Sequence, residues 1–501
     1  MFTAQHFPAN RVCRTRIVAT VGPACEDASV LVNLIHAGVD VFRLNMAHSK
    51  PAEAQIRLDR IRQISRQIRQ PVAVLADLGG PKIRLGEIPG GVYDCSPDQP
   101  ITFVRGDHSS QPHTFATSYE TFVDELAVGE RVMLADGTVA LRVTGKTADS
   151  VVCQVVQGGM VRSRQGVNLP GTRLSVRTIQ PADIENAKWA VRAGVDFLGL
   201  SFVRNAADIR ELRAILQQTA AEIPGVNELP QIIAKIEKPE ALETLESIVQ
   251  ATDGVMVARG DLGVETDIAA IAVVQKRIIA TCRRLRKPVI VATQMLESMT
   301  HETIPTRAEV TDVANAILDG ADAVMLSGET AVGKHPVLVV QTMNRIATST
   351  EEYHKKTAAI NISSFAKPLT ESGEPSPDVS DAVCQSAGLL ADEIGAKAIL
   401  TFSHTGRTTL MIASQRHQTM TIGFSPSDAV LRRMCLYYGV IPIMTDKTNG
   451  VGADALPEEM LREFVAAGQE AKFFVSGDRI VLAGGAKHTG DTLRYIYIYR
   501  V

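Results

Sequence analysis

The 501-residue sequence has few cysteines, and none of them lie close together as a pair. The seven cysteines are odd in number, widely spaced and never arranged as Cys-x-x-Cys. This pattern argues against a disulfide framework and against a structural zinc site. A reducing intracellular compartment is therefore the expected setting.

The sequence also has no apolar run long enough to cross a bilayer, and neither sign of charge predominates. Its first residues lack the apolar core of a secretory signal. The 52 basic and 55 acidic side chains give a formal charge of −3, which favours neither nucleic acid nor an anionic membrane as a partner. We expect a cytoplasmic globular protein that binds small solutes, and its length suits about three domains.

Eight short apolar runs, separated by amphipathic helical stretches, predict a (β/α)8 TIM barrel. The runs begin at Ile17, Val39, Val72, Val195, Gln231, Gly254, Pro288 and Ala323. Continuous apolar runs of this length are typical of parallel strands that are buried on both faces. Eight such strands with intervening helices are what a closed barrel of this type requires.

Two further domains are predicted from changes in the pattern. Between Leu85 and Pro170 the helical periodicity gives way to short β-like segments, which indicates a small β-barrel lid domain inserted after the third strand. A segment rich in Pro, Ser and Glu then precedes a second α/β alternation and reads as a linker. The predicted parts are an N-terminal extension (1–14), the barrel (15–84 and 171–356), the lid (85–170), the linker (357–377) and a C-terminal α/β regulatory domain (378–501).

Two carboxylates close successive predicted strands, since Glu237 follows QIIAKI and Asp261 follows GVMVARG. Active sites of α/β barrels lie at the carboxyl ends of the strands. Paired carboxylate oxygens, completed by water and substrate oxygens, predict a Mg²⁺ or Mn²⁺ site. The alternative is that one carboxylate forms only a salt bridge with a neighbour.

Lys235 lies two residues before Glu237 and therefore projects to the same side of its strand. An ammonium beside a divalent cation suits the stabilisation of a transferring phosphoryl group. A lysine that only neutralises the two carboxylates would occupy the same place, and the pattern alone does not separate these roles.

A second polar cluster is predicted at the same rim of the barrel, on the second and third strands. Its members are Arg43, Asn45, His48, Asp77, Lys82 and Arg84. Arginines in such a position suit multidentate recognition of phosphate, although any one of them alone would more often form a rim salt bridge.

These motifs resemble those of the pyruvate kinase family. The strings RLNMAH, GPKIR, GVNLPG, LSFVR, AKIE, MVARGDLGVE, ATQMLESM and PTRAEVTDVAN occur in the family's order and cover nearly the whole predicted barrel. The family's three-part plan also coincides with the organisation inferred above. The resemblance implies Mg²⁺- or Mn²⁺-dependent phosphoryl transfer from phosphoenolpyruvate to ADP, giving pyruvate and ATP, and a homotetramer as the usual assembly.

The resemblance also implies roles for individual residues. On the substrate side, Glu237 and Asp261 would bind the divalent cation, and Lys235 would stabilise the phosphoryl group and the enolate. Gly260, Asp261 and Thr293 would bind the substrate carboxylate, and Arg43 would bind the phosphate. Ser327 and Thr293 would take part in protonation of the enolate. The ADP side would be lined by Asn45, His48 and Arg84.

The sequence departs from the family pattern where many members bind potassium. Ala47 and Leu78 replace two of the side chains that supply ligands to that ion, and Lys82 stands where those members have a glutamate. A tethered ammonium can supply the positive charge that a bound ion would otherwise provide. We therefore expect activity that requires no monovalent cation.

A second departure concerns the lid. Gln165 stands where the family usually has a lysine that reaches the nucleotide, and Arg162 or Arg164 would have to take its place.

The predicted C-terminal domain contains a candidate effector site. The segment SHTGRT follows a strand and precedes a helix that we expect to begin near Thr409, and it resembles the family's phosphate loop for sugar-phosphate activators. The expected contacts are Ser403, Thr405, Gly406, Arg407 and Thr408. An ordinary capped helix start uses the same residue types. A second loop, at 484–492, lacks the Trp and Arg-Pro of some fructose-bisphosphate-activated members, so a sugar monophosphate or a nucleotide fits the site as well.

Two other functions are compatible with parts of this pattern. A Mg²⁺-dependent carbon–carbon lyase on a similar barrel also pairs two acidic ligands with an enolate. A catalytically silent relative could serve as a metabolite sensor, although the presence of Lys235, Glu237, Asp261 and Thr293 argues against it.

Overall fold

The structure is a computed structural model that describes residues 13–172, 174–226, 228–358, 379–444, 458–488 and 491–501. Strands and helices alternate from the start of this region. The elements before the insertion are β1 (Arg16–Thr20), α1 (Ala28–Ala37), β2 (Val39–Asn45), α2 (Pro51–Gln67) and β3 (Ala73–Asp77). Every residue of β1 and β3 is buried, as expected for strands covered on both faces.

The insertion after β3 forms two sheets around a core of its own. Its elements are β4 (Val92–Cys95), β5 (Pro100–Val104), β6 (Thr114–Ala116), α3 (Phe122–Glu125), β7 (Arg131–Leu134), β8 (Val139–Lys146), β9 (Ser150–Gln157), β10 (Gly159–Arg162) and β11 (Val167–Asn168). One sheet has the order β11-β7-β8-β9-β5-β6, and the other pairs β10 with β4. The ring of Phe103 contacts the rings of Phe115 and Phe122 inside this unit, which we call the lid.

The chain then completes the barrel. The elements are α4 (Pro181–Ala193), β12 (Phe197–Leu200), α5 (Ala206–Ala221), β13 (Gln231–Ile236), α6 (Pro239–Glu243), α7 (Leu245–Ala251), β14 (Gly254–Ala258), α8 (Arg259–Glu265), α9 (Ile271–Arg284), β15 (Val289–Ala292), α10 (Arg307–Asp319), β16 (Ala323–Leu326), α11 (Gly328–Ala331) and α12 (Pro336–Ala358). Gly194 and Gly320 end α4 and α10 in the left-handed conformation, with φ of 67° and 104°.

The eight barrel strands close in the order β1-β16-β15-β14-β13-β12-β3-β2, and neighbouring strands run parallel. The predicted TIM barrel is thereby confirmed. Side chains such as Val18, Leu75, Phe197 and Met256 fill the interior, while a larger apolar cluster lies between the strands and the helices. A filled interior leaves the polar residues at the strand ends to form a site.

The second α/β alternation is confirmed as a C-terminal α/β domain. Its elements are α13 (Val379–Glu393), β17 (Ala398–Phe402), α14 (Arg407–Ser414), β18 (Thr421–Phe424), α15 (Asp428–Met434), β19 (Val440–Pro442), α16 (Glu458–Glu470), β20 (Arg479–His488) and β21 (Asp491–Arg500). The sheet order is β19-β18-β17-β20-β21, with β21 antiparallel to its neighbour. Most of the predicted N-terminal extension and linker lies outside the described residues, and α12 continues past the predicted barrel boundary to Ala358.

The C-terminal domain docks at the amino-terminal ends of the barrel strands. Arg16, which is fully buried at the start of β1, pairs with Asp40 at 3.3 Å and donates to the carbonyl of Tyr437 at 2.8 Å. Arg432 of α15 pairs with Asp196 just before β12 at 2.7 Å. This docking occupies one end of the barrel and leaves the carboxyl end free for a site. No helix in the described part of the chain is long and apolar enough to cross a membrane.

Candidate active site

The carboxyl ends of the barrel strands gather a network of buried charges around Lys235. This side chain is 8% exposed, and its Nζ lies 3.1 Å from Glu237 Oε1 and 3.2 Å from Asp77 Oδ1. It also donates to Ser201 Oγ at 2.7 Å. Burial opposes the charged form, but Asp77 and Glu237 outweigh it and raise the pKa of Lys235. The structure therefore holds a permanent ammonium at the centre of the site.

Asp77, the last residue of β3, joins this ammonium to a guanidinium. Its Oδ2 accepts from Arg43 Nε at 2.7 Å, while its Oδ1 faces Lys235. Burial opposes ionisation, but Lys235 and Arg43 outweigh it and hold the pKa of Asp77 below its usual value. Arg43 also donates to Thr20 Oγ1 at 3.2 Å. One carboxylate thus fixes both of the cations that the sequence assigned to phosphate.

Glu237 and Asp261, the predicted metal ligands, lie near each other beside Lys235. Glu237 is 2% exposed, and its Oε2 accepts from the Phe202 N–H at 2.6 Å. Burial first, and then the charge of Asp261, raise the pKa of Glu237, while Lys235 opposes the shift. The mutual repulsion of two partly desolvated carboxylates is the environment that a bound cation relieves.

The donor set of this pair fits a hard divalent cation with an incomplete protein shell. In the described residues, no group of three or more His, Cys, Asp and Glu side chains forms a full metal cage. A magnesium or manganese ion held by Glu237 and Asp261 would take its remaining ligands from water and substrate oxygens, which is how Mg²⁺ commonly binds.

Thr293 follows β15 in a strained conformation. Its φ of 69° is unusual for a β-branched residue, and Gln294 also has a positive φ of 54°. The strain is stabilised by neighbours, because Thr293 Oγ1 accepts from the Gly260 N–H at 2.7 Å and Arg259 donates to the Thr293 carbonyl at 2.7 Å. A substrate carboxylate at this place would share or replace the Gly260 donor.

Ser327 directly follows β16 at the carboxyl end of the barrel, and its hydroxyl oxygen is buried. Among the described residues, its Oγ has no hydrogen-bond partner. Its backbone N–H donates to Glu329 Oε2 at 2.6 Å, and that carboxylate is fully buried. A buried hydroxyl without a partner is costly, so this atom is suited to a reactant or a water molecule.

The three residues predicted to line the nucleotide side lie at the rim. Asn45 accepts from the Ala47 N–H at 3.2 Å, and Arg84 donates to the Arg164 carbonyl at 3.2 Å. Partial burial, followed by the charges of Arg84, Arg43 and Lys82, lowers the pKa of His48. The shift shows that His48 lies within the field of the basic residues at this rim.

Lys82 points toward Asp261, one of the two predicted metal ligands. Its Nζ lies 3.4 Å from Asp261 Oδ1 and is partly exposed to solvent. Leu78 packs in the main apolar core and Ala47 is exposed. Because neither side chain contains an oxygen, neither can supply a cation ligand near Asp77.

Gln165, in the lid, forms a hydrogen bond within a local turn. Its side chain accepts from the Arg162 N–H at 2.7 Å, and Arg164 pairs with Glu87 at 2.6 Å.

In the C-terminal domain, the predicted effector residues lie between β17 and α14. Gly406 has a φ of 80° and caps the helix, so α14 begins at Arg407 and the prediction of a start near Thr409 is wrong. Ser403 is buried, and Thr405 Oγ1 accepts from the Arg407 N–H at 3.4 Å. Arg407 and Thr408 therefore belong to the first turn of the helix. Residues 489–490 of the second candidate loop lie outside the described residues.

Sequence reasoning missed two features of the site. It placed Asp77 in the polar cluster without a role, and it did not consider Ser201. Ser201 comes directly after β12, in the position that the other site residues occupy relative to their strands. That shared position is the signal that could have identified it.

Comparisons with known proteins agree with this geometry. The family model described as pyruvate kinase, barrel domain, matches residues 12–340, and that of the pyruvate kinase alpha/beta domain matches residues 381–494. A pyruvate kinase of Mycobacterium intracellulare is 37% identical over 493 residues, covering 97% of this chain and 98% of the relative. One of Geobacillus stearothermophilus is 37% identical over 484 residues, covering 96% and 79%. The crystal structure of a pyruvate kinase from Cryptosporidium parvum has a TM-score of 0.86 at 32% identity, covering 98% of this chain and 96% of that chain.

The fold and the site define a TIM-barrel enzyme with an inserted lid, which gathers fixed cations and paired carboxylates at the carboxyl ends of its strands. Such a charge arrangement suits group transfer from an anionic substrate. The chain belongs to the pyruvate kinase family, whose members are phosphotransferases.

The central position of Asp77 leads to a prediction. Asp77→Asn keeps the size of the side chain but removes the charge that holds Arg43 and Lys235 together. We expect turnover to fall by about 10². Steady-state kinetics of the purified variant measure the change.

Asp196→Asn is the matched control, because Asp196 is as buried as Asp77 and pairs with Arg62 and Arg432 at the opposite end of the barrel. We expect it to lower the melting temperature with turnover within threefold of the wild type. An Asp77→Asn enzyme with wild-type turnover would contradict the role given to this carboxylate.

Proposed function

We propose that the protein transfers the phosphoryl group of phosphoenolpyruvate to ADP, giving pyruvate and ATP. The observation that carries the proposal is the position of Lys235 Nζ, which lies within 3.2 Å of both Asp77 and Glu237 at the barrel mouth. Family membership and the names of the relatives support the same reaction.

In this proposal, the phosphoryl group lies between Arg43 and Lys235. Asp77 holds these two cations in place before the substrate arrives, so little reorganisation is needed when charge shifts in the transition state. Glu237 and Asp261 would hold Mg²⁺ or Mn²⁺, which when bound would supply positive charge that offsets the negative charge developing on the substrate. Lys235 also stabilises the enolate oxygen that is left when the phosphoryl group departs.

The substrate carboxylate lies against the backbone N–H groups of Gly260 and Asp261 and the hydroxyl of Thr293. The strained backbone of Thr293 fixes its hydroxyl at this place. The enolate carbon then takes up a proton from the direction of Thr293 and Ser327, either from a hydroxyl or through a water molecule that the buried Ser327 Oγ holds.

ADP lies toward the rim, where Asn45, His48 and Arg84 are placed. Arg84 connects β3 to the lid, since it forms a bridge with Gly166 at the start of the returning lid strand. Movement of the lid over the mouth would exclude water from the transferring group.

A coupled assay of pyruvate formation tests the proposal. We expect pyruvate only when phosphoenolpyruvate, ADP and Mg²⁺ are all present, and loss of activity when EDTA removes the metal. Pyruvate release from other substrates without ADP would favour a carbon–carbon lyase. Binding of phosphoenolpyruvate without any turnover would favour a metabolite sensor.

We also propose that the enzyme needs no monovalent cation. Lys82 Nζ lies 3.4 Å from Asp261 Oδ1 and supplies a positive charge at the edge of the metal pair. Leu78 buries an apolar side chain where a potassium site would need an oxygen ligand. At this distance a tethered ammonium attracts Asp261 through the same Coulomb interaction that a bound cation would use.

The prediction concerns the response to potassium. In tetramethylammonium buffer, adding KCl should change the wild-type rate less than twofold, because Lys82 already supplies the charge. Lys82→Glu should lower the rate in that buffer, and KCl should restore part of it. Lys82→Met removes the positive charge without adding a negative one, so its comparison with Lys82→Glu separates the effect of losing the charge from the effect of reversing it. Strong activation of the wild type by KCl would refute the proposal.

A phosphorylated metabolite is proposed to bind the C-terminal domain. The proposed contacts lie between the carboxyl end of β17 and the first turn of α14, and they are Ser403, Thr405, Gly406, Arg407 and Thr408. This arrangement suits the phosphate group of a sugar phosphate or a nucleotide.

Arg407→Ala tests this site. We expect the variant to lose activation by sugar phosphates or nucleotides and to keep its unactivated turnover, because Arg407 lies far from the barrel mouth in the chain's fold. Arg479→Ala, at the amino-terminal end of the same sheet, is the control. Activation that survives Arg407→Ala unchanged would remove the site.

The proposed assembly is a homotetramer in the cytoplasm. Light scattering of the purified protein would give the mass of the assembly, and a monomer at assay concentration would contradict the proposal.

A further inference from the structure

A buried junction connects the lid to both loops that carry the proposed metal ligands. Glu265 Oε1 accepts from Lys238 Nζ at 2.7 Å and from Asn168 Nδ2 at 3.0 Å. All three residues are more than nine-tenths buried. We call Asn168, Lys238 and Glu265 the hinge junction.

The members of the hinge junction come from three separate elements. Asn168 is the last residue of β11, where the chain leaves the lid. Lys238 directly follows Glu237 after β13, and Glu265 ends α8, one helical turn beyond Asp261. A single carboxylate oxygen therefore ties the returning lid strand to the two segments that position the metal pair.

The lid also rests on α8 at a second place. A Cβ added to Gly137, in the lid, would lie 3.1 Å from a methyl group of Val264 in α8. After Asn168, the chain continues to Leu174 and Val176, whose carbonyls accept from Arg204 at 2.8 and 2.9 Å. The lid thus contacts the barrel through α8 and through the segment after β12.

The junction borders a small cavity of about 30 Å³, which Lys82, Asn168, Arg204, Lys238, Glu240 and Glu265 help to line. Glu265 Oε2 is buried and has no hydrogen-bond partner among the described residues. A polar cavity of this size has room for water. The second oxygen borders this cavity as an acceptor without a donor, while the first oxygen holds both Lys238 and Asn168.

We infer that Glu265 is a positioning residue that couples the position of the lid to the placement of Glu237 and Asp261. Charge-assisted hydrogen bonds are about twice as strong as neutral ones, and this junction has two of them on one buried oxygen. A lid position that keeps Asn168 on Glu265 holds α8 and the end of β13 in register. A lid position that breaks the hydrogen bond between Asn168 and Glu265 leaves α8 and the end of β13 less firmly held. The inference rests on the proposed function for its kinetic part and for the metal-ligand roles of Glu237 and Asp261, whereas the hydrogen-exchange readout of the lid is independent of turnover.

Two single variants separate the arms of the junction. Asn168→Ala removes the lid arm and leaves the ion pair intact, whereas Glu265→Gln keeps the shape and removes the charge. We expect kcat to fall about tenfold in each, in the range that misplaced catalytic groups produce. Mn²⁺ binding, measured by electron paramagnetic resonance without turnover, should weaken about twofold to threefold in Asn168→Ala, which loses the lid arm, and about fivefold or more in Glu265→Gln, which also loses the charge paired with Lys238.

Amide hydrogen exchange measures directly how well the backbone of the lid is protected from solvent. In the wild type, phosphoenolpyruvate with Mg²⁺ should protect the lid segment 160–172, and Asn168→Ala should lose most of that protection. The double variant Asn168→Asp with Glu265→Gln exchanges donor and acceptor, keeps a carboxylate near Lys238, and should recover part of both kcat and protection. Asp196→Asn, a buried carboxylate at the other end of the barrel, is the control for a purely structural loss.

The inference is overturned if Asn168→Ala keeps wild-type protection and kcat, or if the losses in Glu265→Gln match those in Asp196→Asn. It is also overturned if the double variant recovers neither quantity. Failure of the proposed function would show differently, as a wild-type protein without turnover. In that case the metal-binding and exchange measurements would still decide the coupling.

Discussion

The structure depends on the balance of buried charge at the carboxyl end of the barrel. Lys235 lies between Asp77 and Glu237, and Asp77 in turn holds Arg43. Removing isolated charges from water is costly, and the cost is offset only when each charge has close partners. The parallel strands supply those partners at fixed positions, because each contributes a side chain near its carboxyl end. The same balance lowers the pKa of Asp77 and raises that of Lys235, so both remain charged.

The two ends of the barrel use similar chemistry for different purposes. At the amino-terminal end, Asp196 and Asp322 pair with Arg432 and Arg416 of the C-terminal domain. Arg16, which pairs with Asp40 within the barrel, reaches the same domain through the carbonyl of Tyr437. At the carboxyl end, the carboxylates face a mouth on which the lid rests through α8. Charge pairs therefore bind a domain permanently at one end and remain available to a substrate and a cation at the other.

Much of this architecture was predictable from local pattern. The apolar runs gave all eight barrel strands, and the polar residues that close them gave Lys235, Glu237 and Asp261 as neighbours. The part that pattern could not give depends on distances across the barrel. Asp77 and Lys235 are far apart in sequence, and only closure of the barrel places them 3.2 Å apart. The direction of Lys82 and the contact between Asn168 and Glu265 depend on how the lid rests on the barrel, which periodicity does not encode. The start of α14 was misplaced because the left-handed Gly406 caps the helix before Arg407.

The central claim is that the ammonium of Lys235, held by two carboxylates, stabilises a phosphoryl group as it moves to ADP. The most direct measurement is single-turnover phosphoryl transfer by a Lys235→Met variant, with Mn²⁺ and phosphoenolpyruvate binding measured in parallel. The account predicts that the chemical step slows by a factor of about 10² or more while the metal still binds. A chemical step within tenfold of the wild-type rate would contradict it.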